Sequence, residues 1–155
     1  MADLTHDDLI AENRKAGFDY HILETFEAGV SLLGTEVKAI REGRANLRDS
    51  FCRVEHGEVF LLNVHVSPYS HRGSADHAPT RARKLLLHRQ EIRKLLGKTT
   101  ERGQTIVPLR MYFKKGRVKV LIALAKGKNV RDKRETIKKR EADRETRAAV
   151  KTHQG

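Results

Sequence analysis

From Tyr20 the chain alternates with a period of two: Tyr20, Ile22, Glu24 and Phe26 fall on one side and His21, Leu23, Thr25 and Glu27 on the other, until Ala28-Gly29 interrupts the pattern. This predicts a strand bent at Gly29. In GTEVKAIREGR, Val37, Ile40 and Arg41 stand at helical spacing and Gly43 follows where a helix end favours left-handed backbone, so a two-turn helix is predicted. LRDSFCRVE and EVFLLNVHVSPY form a predicted hairpin through His56-Gly57. Phe60, Leu62, Val64 and Val66 share one face of its second strand, Val59, Leu61, Asn63 and His65 the other, and Pro68 ends it. A second hairpin pairs QTIVPLRMYF with RVKVLIALA across KKG, with Val107, Leu109, Met111 and Phe113 expected inward on one arm and Val118, Val120, Ile122 and Leu124 on the other. Pro108 cannot donate to a ladder, so its strand is expected at an edge or with a bulge there.

Between the hairpins, YSHRGSADHAPTRAR is polar and carries Gly73 and Pro79, which predicts a long surface loop displaying Arg72, Arg81 and Arg83. Loops of that length in compact domains often bind something. KLLLHRQEIRKLLGK then sets Leu85, Ile92, Leu95 and Leu96 in an apolar stripe, a helix from about Arg89 to Leu96 with Gly97 as its stop; Leu85 to Leu87 fits a short strand leading in equally well. Five or six antiparallel strands, two or three short helices and long loops make a mainly β domain. The nearest class is a small antiparallel barrel of the oligonucleotide/oligosaccharide-binding (OB) type, spanning residues 13–126. Residues 1–12, MADLTHDDLIAE, read as a polar, flexible leader.

Residues 127–155 are different in kind. From Lys126 to Gly155 there are eleven Lys or Arg against five Asp or Glu, so this end carries half of the formal net charge of +12. Val130 and Ile137 are seven apart and the next apolar group is small Ala142, which gives no face wide enough to fold onto the barrel, so the tail is expected to be disordered when free. Its residues are nevertheless strong helix formers, with Glu135 and Lys139, and Asp143 and Arg147, spaced for i,i+4 pairs. A phosphate-lined partner would complete such a helix.

The charge therefore points to a polyanionic partner, RNA, DNA or an anionic surface. Membrane is the weakest of these, because no apolar run approaches the roughly 20 residues of a spanning helix, and a cytoplasmic, monomeric protein is expected. Cys52 is the one cysteine, so an internal disulfide and a thiolate zinc site are both excluded. The eight histidines include no H-x-x-x-H pair, and no phosphate-binding G-x-x-x-x-G-K-[ST] is present, so neither metal nor cofactor is expected. Glu24 and Glu27 fall on opposite faces of their strand, the wrong arrangement for an acid/base pair, and no enzyme is expected. Asn13, Arg14 and Lys15 before the first strand fit either a solvated turn or an RNA contact. Arg41, Arg44 and Arg48 cluster about a turn with Asn46, which is either a charged surface or a phosphate clamp; Arg41 and Asn46 are carried forward as candidate RNA contacts. Composition alone also accommodates a general basic RNA chaperone or ribosomal assembly protein.

FEAGVSLLGTEVKAIREGRANLRDSF, PTRARKLLLHRQEI and ALAKGKNVRDKRETIKKRE, in this order and spacing, resemble the small protein B family, the SsrA-binding proteins that partner transfer-messenger RNA in trans-translation. The resemblance covers roughly Asn13 to Lys151. It implies an OB-like barrel that grips the tRNA-like domain of that RNA, a tail that enters the decoding region and empty mRNA channel of a stalled ribosome and orders there as a helix, and no catalysed reaction. Family motifs match at Asn13 and Arg14 of NRKA, Glu27 of FEAG, Lys84, Leu86 and His88 of RKLLLH, and Lys126 and Lys128 of AKGK, which implies that these lie on or near one RNA-facing surface. In the tail the match is Asp132, Lys133 and Arg134, followed by Ile137, Lys138 and Arg140. Phe18, Arg131 and Ala142 depart from the family pattern.

Overall fold

The computed structural model describes residues 8–68, 77–100, 103–128, 134 and 137–141. Its order is β1 (Asp8–Glu12), α1 (Arg14–Asp19), β2 (Tyr20–Val30), α2 (Gly34–Arg41), β3 (Ala45–Asn46), β4 (Phe51–Glu55), β5 (Glu58–Leu62), β6 (His65–Val66), β7 (Arg83–Leu86), α3 (Arg89–Thr99), β8 (Gln104–Lys114) and β9 (Arg117–Gly127). One sheet runs β1-β8-β4-β5-β7-β2-β9, and β8 also pairs with β9. That last pairing closes six strands into an antiparallel barrel and leaves β1 outside as the edge. The expectation of a mainly β, OB-like barrel with short helices is met. No helix among the described residues is long and apolar enough to cross a membrane.

The barrel closes because alternate residues of its strands point inward: Phe26 and Ala28, Val59 and Leu61, Ile106 and Met111, and the run Val118, Val120, Ile122, Leu124 share one core with Ile40 of α2 and Leu95 of α3. Both long hairpins turn where the sequence places them. His56-Gly57 and Lys115-Gly116 take positive φ at both turn positions, the geometry whose twist matches that of paired strands.

Several expectations are corrected. The leader is not loose up to residue 12, since β1 pairs antiparallel with β8. The NRKAG stretch, expected as a turn, is helix α1, whose Ala16 seals a second small cluster with Val107, Ala123 and Ala125 on the outer side of the sheet. Val107 and Leu109 therefore face α1 and not the main core. The cause is the register shift between Pro108 and Arg110: the bulge expected of proline is present, and it reverses the phase of β8 midway. The register irregularity of β2 falls between Ile22 and Glu24, while Gly29 stays in register opposite Leu86, where an added Cβ would stand 3.3 Å from the Leu86 Cβ.

The EVFLLNVHV strand is two strands. Asn63 has φ 62°, which turns the chain and shifts the buried set from Val59 and Leu61 to Val64 and Val66. Gly97 lies inside α3, which continues to Thr99. The RKLL segment is a strand, β7, with Arg83 and Leu85 inward.

The largest correction concerns the loop arginines. Arg83 is fully buried, and Arg81 is half-buried. Both grip Glu36 of α2, itself 0% exposed: Arg83 Nε donates to Oε2 at 2.6 Å and Arg81 Nη2 to Oε1 at 2.6 Å. The Leu33 amide adds a third bond to Oε1 at 2.7 Å, and Arg83 spends its remaining donors on the carbonyls of Val64 and Pro79. Buried His77 joins Thr35 Oγ1 to the Val66 carbonyl, each at 2.9 Å. Arg72 lies outside the described residues.

Candidate nucleic-acid interface

Strand alternation decides which candidate residues meet. On β2, Phe26 and Ala28 are inward, so Glu27 faces out; on β7, Leu85 is inward, so Lys84 and Leu86 face out. Since β2 and β7 are neighbours, paired at Gly29 and Leu86, these outward side chains share one surface. Glu27, Lys84, Leu86 and His88 line a single open groove of about 790 Å³, walled on one side by the first turn of α3 and on the other by Lys119 of β9. Leu86 is 53% exposed at its centre, an apolar platform between cations. Glu91 accepts the His88 amide at 2.9 Å, which fixes the entry to α3 and hence the groove wall.

Glu27 is held in place. The Tyr112 hydroxyl donates to its Oε2 at 2.6 Å, and Lys114 Nζ donates to Oε2 at 3.2 Å and to Oε1 at 3.3 Å. The Tyr112 hydrogen bond, assisted by Lys114 and the nearby charge of Lys119 and opposed by modest burial, holds the carboxyl below the usual glutamate range. The acid is ionised at neutral pH and can only accept hydrogen bonds. Lys84 Nζ rests on Glu58 at 2.8 Å, an exposed pair that a phosphate can replace.

The other candidates lie elsewhere. Even-numbered residues of β9 face the core, so Lys126, at the end of that series, stands on the barrel rim about 17 Å along the strand from the Glu27 level. The expectation that Lys126 and Lys128 share the Glu27 face is not met. Lys128 turns to α1, its amide donating to the Asp19 carbonyl at 2.8 Å and its Nζ to the Gly17 carbonyl at 3.1 Å, so the body continues one residue past β9. Asn13 clamps the β8 bulge: Nδ2 donates to the Pro108 carbonyl at 2.9 Å and its amide to the Leu109 carbonyl at 2.8 Å. Arg14 beside it is exposed. Arg41 lies over the Phe113 ring, 5.9 Å from its centre, and Asn46 accepts the Arg48 amide at 2.8 Å as an Asx turn.

A family model described as SmpB protein matches residues 10–152. The chain belongs to the SmpB family. It is 58% identical over 146 residues to the SsrA-binding protein of Trichodesmium erythraeum, covering 94% of each chain. It is 61% identical over 137 residues to the SsrA-binding protein of Syntrophobacter fumaroxidans, covering 88% of this chain and 85% of that one. Among solved structures it is similar to a chain of "tmRNA-SmpB: a journey to the center of the bacterial ribosome", with a TM-score of 0.65 and 48% identity over 81% of this chain and 92% of that one.

In this SmpB chain, Asp132 and Lys133 lie outside the described residues. The rest of the tail candidates, Arg134, Ile137, Lys138 and Arg140, are helical and exposed, with Ile137 42% exposed. The described part of the tail, residues 134 and 137–141, is helical, in keeping with its strong helix formers. The residues that sequence reasoning missed are Tyr112 and Lys114, the partners of Glu27. Their outward parity on β8 follows from the expected inward Met111 and Phe113; what the local pattern did not show is that β8 and β2 flank β9, which brings both side chains to Glu27.

Proposed function

We propose that this protein is an RNA-binding factor that binds the tRNA-like domain of transfer-messenger RNA and delivers it to stalled ribosomes for trans-translation. The observation that carries it is the convergence of Glu27, Lys84, Leu86 and His88, from separated stretches of the chain, on one open groove. Cations there position phosphates, Leu86 offers a surface for a base or ribose, and Glu27 accepts a hydrogen bond from an RNA donor. Lys126 and Lys128, at the far end of the β2–β9 pair, and Asn13 and Arg14, beside the β8 bulge, extend the contact along the RNA, with Arg41 and Asn46 as outlying contacts. The tail, through Asp132, Lys133, Arg134, Ile137, Lys138 and Arg140, occupies the vacant message channel and the decoding region of the small subunit. The protein acts in the cytoplasm, as a monomer with no catalytic step, cofactor or metal of its own. Its relatives are named SsrA-binding proteins, which supports the RNA partner.

The test is binding of the full chain to transfer-messenger RNA against an excess of unrelated RNA, beside peptide tagging on stalled ribosomes in a reconstituted system. Binding that survives the competitor, together with tagging, is expected. Affinity that the competitor abolishes would leave a general basic RNA chaperone as the better description.

A further inference from the structure

We propose that Tyr112 is a positioning residue of the RNA contact: its hydroxyl fixes the Glu27 carboxylate so that one open acceptor site faces the groove, which selects a single RNA donor. This rests on the groove being the RNA interface. Tyr112 is buried in β8, and its ring stays with the barrel while only the hydroxyl reaches Glu27. At 2.6 Å this is a charge-assisted bond, of the strong class. A carboxylate offers about four lone-pair positions. Tyr112 and Lys114 occupy both on Oε2 and Lys114 takes one on Oε1, so the open position is on Oε1. Without the tyrosine hydroxyl, Glu27 would be held only by the longer bonds from the Lys114 ammonium, would sample more side-chain rotamers and would lose part of its reach to a bound ligand.

One open acceptor suits one donor. A ribose 2′-hydroxyl or an exocyclic base amine fits; the adjacent N1–H and N2–H of guanine, which need both oxygens, do not. Tyr112 thus converts an acid that could read several edges into one that reads a single group.

The experiment measures affinity of the full chain for the tRNA-like domain of transfer-messenger RNA and for an unrelated RNA hairpin, in the wild type, Tyr112→Phe, Glu27→Gln and the double variant. Tyr112→Phe keeps the ring and is expected to lower cognate affinity about tenfold with the unrelated hairpin unchanged, whereas in the Glu27→Gln background it should change affinity by less than about twofold. An equal loss in both backgrounds, or none in either, overturns the positioning role. A wild type that fails to prefer the cognate RNA overturns the underlying interface instead. Single 2′-deoxy and amine-deleted substitutions in the RNA then locate the donor: one that costs the wild type affinity but not Glu27→Gln identifies the group. If no single substitution couples to Glu27, the one-donor selection is wrong, and this arm holds even if Tyr112→Phe should fold poorly.

Discussion

Two glutamates of this chain are each gripped by cations, and they do opposite things. Glu36 is sealed at 0% exposure between Arg81 and Arg83, with all its neighbours supplied by the fold. Glu27 is half open, held by Tyr112 and Lys114 on one edge and facing a groove on the other. Burial opposes the charge of Glu36, but hydrogen bonds from Arg81, the Leu33 amide and Arg83 outweigh it; both carboxyls end below the ordinary glutamate range. The same direction of shift therefore marks a structural tie in one place and, in the other, a carboxylate that lines an open groove. What separates them is the unfilled acceptor, present at Glu27 alone of the two.

The largest expected effect tests the sealed site. Glu36→Ala leaves the buried Arg83 charge without its counter-ion and should cost about 3–5 kcal/mol in urea unfolding. Since the folded carboxyl titrates below the ordinary value of 4.5, the folded state binds fewer protons than the unfolded one. Its contribution is fully present above the unfolded value and is lost as pH falls through the folded one, so stability of the wild type should decline on acidification and that of the variant should decline less. Glu27→Ala, at a screened surface, should move neither curve much.

The contrast also shows what the sequence could reveal. The hairpins, the helices α2 and α3 and the bulge at Pro108 were legible because each is written locally, in alternation, in a turn pair or in a missing amide. Arg83 was not, because an arginine in a polar loop has the same local signature whether it is displayed or buried, and its partner Glu36 stands 47 residues away. The split of EVFLLNVHV was hidden because left-handed backbone at Asn63 leaves no break in the apolar count. Glu27, Lys84, Leu86 and His88 could be gathered before the fold was seen only through family resemblance, since their meeting depends on β2 lying beside β7.

The next effect concerns the tail against the barrel. Truncation after Lys128 preserves both ties to α1, so the unfolding free energy should stay within about 0.5 kcal/mol and RNA affinity should be largely kept, while tagging on stalled ribosomes fails. Ile137→Pro keeps the net charge but costs about 3 kcal/mol in a helix interior. It should abolish tagging with RNA binding intact; full tagging by this variant would mean that the tail works by charge alone. At the groove, Glu27→Ala should cost the cognate complex about 1–3 kcal/mol and leave or strengthen binding of unrelated RNA, measured by paired titrations. An equal loss for every RNA would remove the distinction between Glu27 and an ordinary surface acid.

The smallest effect separates two lysines that charge counting treats alike. Lys126 stands on the rim, and its replacement by alanine should weaken all RNAs similarly and lower the log–log salt slope by up to roughly one unit, the loss of a single phosphate contact. Lys84 differs because its ammonium already rests on Glu58 at 2.8 Å. A phosphate arriving there exchanges one anion for another, so part of the gain is offset by freeing the glutamate. Lys84→Ala removes the cation and leaves the Glu58 carboxylate facing the RNA, which adds repulsion to the lost contact. Adding Glu58→Ala should then recover part of the affinity, by no more than about 1 kcal/mol for an exposed pair. In the Lys126→Ala background the same Glu58→Ala change should bring a gain independent of Lys126, since the two positions lie far apart on the barrel. Identical responses of the two lysines would mean that the groove has no local structure for phosphate and that the surface acts only through its net charge.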